Sequence, residues 1–181
     1  MAEQTIMLIR HAEKPGQDWP GPGLTEHGAE DAAGLVVRGW QRAGALAALL
    51  AAPRGPLRRP QRIFAAHPDK PDGRRSLRPL QTVQPLAARL GLTPDTRFTR
   101  GEEEPLAAAA AAAGGAVLVS WQHEGLPALG AALAGADAAL PRSWPHRCYD
   151  RIWLLRRAAA GAPWSFDDLP QALLAGDATA P

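Results

Sequence analysis

The chain has a single cysteine, Cys148, among its 181 residues. One thiol excludes an intrachain disulfide and fits a reducing compartment. Nothing beside it marks an activated thiolate. Lysine is also scarce: Lys14 and Lys70 are the only two, and the other basic residues are arginines. With the long alanine tracts, this reads as compositional bias and not as a nucleic-acid-binding patch. Lys+Arg is 20 against Asp+Glu 18, a net charge of +2, which gives no reason to expect nucleic acid as a partner. No segment approaches the ~20 apolar residues needed to span a bilayer. The apolar run near the start is too short and wrongly flanked for a signal peptide, with charged Glu3 before it. A cytoplasmic protein without membrane partners is therefore expected. The five histidines show neither an i, i+4 pair nor a Cys₂His₂ spacing, so no metal site is expected. Ser120 lacks a Gly-x-Ser-x-Gly elbow, which disfavours a serine hydrolase. Internal repeats and interdomain linkers are missing too. One domain over 1–170 is expected, large enough for a real core. Residues 171–181 offer few anchors and are expected to fray.

Against these absences stands one concentrated feature. Ile6-Met7-Leu8-Ile9 runs straight into Arg10-His11-Ala12-Glu13-Lys14-Pro15. An unbroken apolar run rich in β-branched residues reads as a buried central strand. Ligands of open α/β sheets bind at the carboxyl ends of such strands. An arginine there can hold phosphate bidentately, and a histidine can act as nucleophile or proton shuttle. Arg62–Ala66 reads as a second strand; after a Pro/Gly-rich loop, Ser76-Leu77-Arg78-Pro79 opens a helix with Ser76 as N-cap. A helix N-terminus binds anions through its free N–H groups. Ala116–Trp121 reads as a third strand, ending at Gln122-His123-Glu124-Gly125. Three strand-loop-helix units thus present Arg10 with His11, Arg78, and His123 with Glu124 at equivalent places.

The remaining pattern predicts a long helix from Glu26, capped by Thr25, to Leu50. A helix over 77–90 should be kinked or interrupted at Pro85. A short extended piece is expected at Phe98, and an alanine-rich helix after Glu102-Glu103-Glu104, stopped by Gly114-Gly115. A helix over 126–133, a strand over 150–156 and an edge strand at Trp164–Phe166, turned at Gly161, complete the chain. Trp40 and Trp153 are expected in the core, Trp144 on a hydrophobic rim, and Trp121 pointing away from the pocket or flanking it. His27 is expected to be solvated, His67 to belong to a variable substrate loop, and His146 to be structural.

The motifs together resemble the histidine phosphatase superfamily, the phosphoglycerate mutase-like fold. Arg10-His11-Ala12 matches its Arg-His-Gly/Ala signature at the end of the first strand. Leu24-Thr25-Glu26-His27-Gly28-Ala29-Glu30-Asp31-Ala32 matches the Leu-Thr-x-x-Gly-x-x-x-Ala segment. Ser76-Leu77-Arg78-Pro79-Leu80-Gln81-Thr82 matches Ser-x-Arg-x-x-x-Thr, and His123 matches the second histidine. The likeness runs over residues 4–157. It implies a three-layer α/β/α fold with a mostly parallel central sheet and helices on both faces. It further implies a small single-domain phosphatase similar to the phosphohistidine phosphatase type.

On that resemblance His11 attacks phosphorus and forms a phosphohistidine. Arg10, Arg78 and His123 hold the phosphoryl oxygens, Lys14 and Ser76 bind substrate, and neither metal nor cofactor is needed. The general acid stays open. Glu102, Glu103 and Glu104 fall in the interval where many relatives carry a catalytic Glu, but the surrounding motif is absent. Another branch has an acid directly after the second histidine, where this chain has Glu124, and Glu124 is the favoured catalytic acid because its neighbour His123 is already in the pocket. A third option is no dedicated acid, which suits good leaving groups such as phosphohistidine. The expected partner is a small phosphate ester or a phosphorylated protein. A phosphoglycerate-type mutase and a non-catalytic phosphate-binding module are the alternatives. Oligomeric state is not readable.

Overall fold

The computed structural model describes residues 3–135 and 138–178. Five strands form one sheet: β1 (Gln4–Arg10), β2 (Arg62–Ala65), β3 (Ala116–Trp121), β4 (Arg151–Arg157) and β5 (Ser165–Pro170). Their order is β2-β3-β1-β4-β5. β3 pairs in parallel with β1 and with β2, while β4 runs antiparallel to β1 and β5 antiparallel to β4. The sheet is therefore mixed, with a parallel part that includes the central strand. The parallel pairing puts the carboxyl ends of β1, β2 and β3 along one edge. The antiparallel pairing brings the segment leading into β4 to that same edge.

Four helices cover the sheet: α1 (Val37–Ala51), α2 (Arg78–Leu90), α3 (Glu103–Ala113) and α4 (Leu126–Ala134). Successive strand residues point to opposite faces, and β1 is buried on both. Ile6 and Leu8 join Leu106, Leu129 and Trp153 on the α3/α4 side. Met7 and Ile9 join Leu46, Leu50, Val83 and Leu86 on the α1/α2 side. This is the three-layer α/β/α arrangement. Among the described residues no helix is long and apolar enough to cross a membrane.

The helix expected from Glu26 starts only at Val37. Residues 24–35 instead fold back in isolated bridges, Leu24 with Glu30 and with Leu35. The Thr25 hydroxyl accepts the N–H groups of His27 and Ala29, an N-cap contact spent on a turn. The buried side chain of Gln81 holds the fold-back, accepting from the Leu35 N–H and donating to the Leu24 carbonyl. Ser76 is not the N-cap of α2. That position is Leu77, without a side-chain cap bond. Ser76 is buried, and its N–H donates to the Pro68 carbonyl. Pro85 lies inside a continuous α2. A proline there costs ~3 kcal/mol through the lost helix bond and the ring's clash with the preceding turn, and burial of Val83, Leu86 and Ala87 against α1 and the sheet offsets it. Phe98 lies outside any strand, its carbonyl accepting from the His67 N–H.

The tail expected to fray makes anchoring contacts over residues 171–178. Gln171 is buried, and Asp177 accepts the N–H groups of Leu173 and Leu174 and pairs with Arg42. The last three residues lie outside the described range. Trp144 is not on a rim. It is buried against Trp153, ring centroids 4.9 Å apart, and its indole N–H donates to the Cys148 carbonyl. Trp121 is buried in the core, as one of the two readings required, and Trp153 is too.

Candidate active site

The ladder between β1 and β3 continues one residue past β1: the His11 N–H donates to the Trp121 carbonyl at 2.9 Å. This fixes His11 at the sheet edge, with only 5% of its surface exposed. The next N–H, of Ala12, donates to the Thr82 hydroxyl at 2.8 Å, and that hydroxyl donates to the Arg78 carbonyl at 2.7 Å. Thr82 thereby ties the first turn of α2 to the histidine loop. Gly39 lets the same loop settle on α1, because an added Cβ would stand 2.5 Å from the Glu13 carbonyl oxygen.

The ring of His11 is oriented by its own backbone. Nδ1 lies 2.7 Å from the Ala12 carbonyl oxygen. A carbonyl only accepts, so Nδ1 carries the proton and Nε2 keeps its lone pair. Burial, then the charges of Arg78 and Arg10, hold the imidazole well below its usual range. His11 is therefore a neutral imidazole with an unprotonated Nε2 at neutral pH.

Arg10 is buried and gripped from the β4 side. Its guanidinium donates to the carbonyls of His146 and Cys148 and to the Tyr149 hydroxyl, and lies 3.8 Å from the Tyr149 ring centroid. Burial lowers the pKa of both Arg10 and Arg78, and Glu124 counteracts this in each. The Nε–H groups of Arg10 and Arg78 are buried without a partner among the described residues. Such orphan donors are costly unless an acceptor reaches them. Lys14 is half-buried, its pKa lowered by desolvation and by Arg78 and Arg10.

His123 faces this group from the end of β3. Its Nδ1 is 3.1 Å from Glu124 Oε2, and its Nε2 is 3.1 Å from His146 Nδ1. Burial and the Arg10 charge push its pKa down to about 4. Burial works to raise the Glu124 pKa, but a backbone hydrogen bond, His123, Arg100 and Arg10 outweigh it, so the carboxyl titrates below its usual value. The other three glutamates are occupied elsewhere. Glu102 caps the Thr99 N–H, Glu103 accepts the Trp121 indole N–H at 3.0 Å, and Glu104 lines a separate surface cleft with Arg157 and Trp164.

Of the residues picked from sequence, Arg10, His11, Lys14, Arg78, His123 and Glu124 come together at this edge. Ser76 is buried one turn from Arg78, with no hydroxyl contact toward the group among the described residues. His146, expected to be structural, touches both Arg10 and His123. Tyr149 and Thr82 were not singled out as site residues either. Thr82 stood in the Ser-x-Arg-x-x-x-Thr match; the signal for Tyr149 lay in topology, because a strand antiparallel to β1 must be entered at the end where β1 stops. His67 is exposed and bonded within its own loop, and His27 is exposed. Cys148 donates to Asp150, and burial raises its thiol to about 11, which leaves it inert.

No family model matches the chain, and no curated protein matches it in sequence. Solved structures do. The Agrobacterium tumefaciens protein assigned as the phosphohistidine phosphatase SixA is 23% identical, with a TM-score of 0.55 over 92% of this chain and 97% of that one. The protein histidine phosphatase SixA in complex with tungstate is 15% identical, TM-score 0.57, over 92% and 97%. The mycobacterial glucosyl-3-phosphoglycerate phosphatase is 19% identical, TM-score 0.54, over 91% and 97%. The chain therefore has the α/β fold that these histidine phosphatases share.

Proposed function

We propose that this protein is a phosphatase that cleaves a phosphomonoester or phosphoramidate through a phosphohistidine on His11. The observation that carries the reading is the pairing of a buried, neutral His11, whose Nδ1 is bonded and whose Nε2 carries no proton, with two guanidiniums whose Nε–H donors lack partners among the described residues. A lone pair at Nε2 suits in-line attack on phosphorus. His123, a third donor on the resemblance, has both ring nitrogens engaged by Glu124 and His146, so Arg10 and Arg78 offer the donors where charge accumulates on the equatorial oxygens. These cationic side chains supply the neutralisation that a metal supplies in other phosphoryl-transfer sites. Lys14 extends the positive field toward the leaving group, and Ser76 supports the backbone ahead of Arg78. The substrate is a small phosphate ester or a phosphorylated protein, and the lone thiol fits action in the cytoplasm. A mutase would need a bisphosphorylated primer, and a pure binding module would release no phosphate. Nothing in the site favours either.

Incubation with an aryl phosphate, such as 4-nitrophenyl phosphate, is expected to release phosphate and to leave acid-labile, alkali-stable label on the protein. A protein that binds phosphate but never becomes labelled would contradict the reading.

Arg78→Lys keeps the charge but not the fork. Each charge-assisted hydrogen bond is worth roughly 1.5–3 kcal/mol, so loss of one lowers kcat/KM by about 10–100-fold. Steady-state kinetics with unchanged activity would remove Arg78 from the site.

Glu124 is the carboxylate we couple to leaving-group protonation, because it bonds His123, while Glu102 and Glu103 accept from Thr99 and Trp121 and Glu104 lies at a separate cleft. An alkyl leaving group needs a proton, and an activated aryl one largely does not. Glu124→Gln is therefore expected to slow alkyl phosphates more than aryl phosphates. Glu103→Gln should leave their ratio alone. Equal leaving-group dependence in both variants and wild type would mean that no carboxylate serves this step.

A further inference from the structure

A side-chain chain runs outward from the site: Glu124 Oε2 to His123 Nδ1, 3.1 Å, then His123 Nε2 to His146 Nδ1, 3.1 Å. The two imidazoles meet edge to face, centroids 5.0 Å apart. The proton positions follow from the chemistry of the ends. An ionised carboxylate only accepts, so His123 carries its proton on Nδ1. His123 Nε2 then accepts, and His146 Nδ1–H donates. One ring nitrogen of the chain remains, His146 Nε2. His146 is the terminal member, and it lines a cleft of about 300 Å³ together with Lys14, Trp19, Arg147 and Tyr149. Tyr149 and Lys14 also adjoin the guanidinium group, so this cleft borders the cage through those two residues. The residue is anchored there, because Arg10 donates to the His146 backbone carbonyl.

We propose that His146 Nε2 is the proton donor to the leaving group, and that Glu124 and His123 serve to hold and polarise it. The proposal rests on the phosphatase reading above. In the first half-reaction His11 Nε2 bonds to phosphorus as the bond from phosphorus to the leaving oxygen breaks. That electron pair stays on the leaving oxygen, which takes the proton from His146 Nε2. In the second, His146 Nε2 takes a proton from the water whose oxygen displaces His11 from phosphorus. The chain suits both directions: a positive charge on His146 is shared through His123 with the Glu124 carboxylate. Glu124 and His123 are themselves poor donors. The carboxyl is held ionised, and the inner imidazole is held neutral at about 4. The groups facing His146 are His123 and Glu124 beyond β3, Arg10 and Lys14 at the end of β1, and the Arg147–Asp18 ion pair with Tyr149 beside it.

The test compares kcat/KM for glycerol 2-phosphate and 4-nitrophenyl phosphate across pH in wild type, His146→Gln and Glu124→Gln. Glutamine can still donate to His123 but carries no titratable proton. General acids contribute about 10²–10⁴-fold. The alkyl-to-aryl ratio is expected to fall about 10²-fold or more in His146→Gln. Glu124→Gln should show a smaller fall of the same kind, since Gln still accepts from His123. The second half-reaction is common to both substrates, so the ratio isolates leaving-group protonation. An unchanged ratio in His146→Gln, or equal losses on both substrates, overturns the proposal and leaves the phosphatase reading standing. So does a larger alkyl-selective loss in Glu124→Gln, which makes Glu124 the donor. A wild-type protein that forms no phosphoenzyme overturns the phosphatase reading and the proposal with it.

Discussion

His11→Ala is expected to abolish turnover, with a loss of about 10⁴-fold or more, the scale on which removal of a covalent nucleophile acts. The guanidiniums would still bind phosphate, so an anion-binding assay should respond weakly while phosphoenzyme labelling vanishes. The fold should survive. His11 contributes its backbone N–H to the sheet, and alanine keeps that bond to Trp121. The circular dichroism spectrum and melting temperature are the controls. Label that persists on the variant would mean that another residue carries the phosphoryl group and would end the assignment of His11.

The second large effect concerns stability. Arg42 is 2% exposed and binds three partners: Glu13 through Nε and Nη2, Asp177 through Nη1 and Nη2, and Gln171 through Nη1. Arg42→Ala would leave the buried Glu13 carboxylate with Arg38 alone, 3.3 Å away. Breaking a buried ion pair from one side costs about 3–5 kcal/mol, roughly 6–20 °C in a domain of this size. Burial alone would raise the Asp177 carboxyl, but hydrogen bonds from Arg42 and from the Leu174 and Leu173 N–H groups hold it at about 2. The unfolded value is near 3.9, so the folded value is depressed. The stability it contributes is full above about pH 4 and is lost as pH falls toward 2. Urea unfolding at several pH values should show this acid slope in wild type and a much weaker one in Arg42→Ala. Since Glu13 is two residues from His11, activity should fall together with stability. A variant as stable as wild type would mean that water replaces the arginine at no cost.

Much of this site was legible in the chain. A buried parallel strand must be apolar on both faces, and Ile6–Ile9 and Ala116–Val119 announce themselves for that reason. Their polar successors, Arg10-His11 and His123-Glu124, then stand out by contrast. The helix expected at Glu26 fails because Thr25, a good cap by composition, spends its hydroxyl on a turn. Gln81, far along the chain, holds that turn. The Pro85 interruption fails because helix propensity is a local quantity, while α2 is held by what it packs on. Gln171 and Asp177 look like tail residues until Arg42 is found opposite them.

By itself the sequence determined the strands, the histidine and arginine at their ends, and therefore the chemistry on offer. These are local facts, set by periodicity of two or of 3.6 and by residue type. Only the tertiary structure decided which side chains share the site. The antiparallel entry of β4 carries His146 and Tyr149 to Arg10, and the placement of α3 spends Glu103 on Trp121. No pattern along the chain encodes these meetings. They follow from strand direction and helix docking, which are fixed by the burial of whole faces and not by any short run of residues.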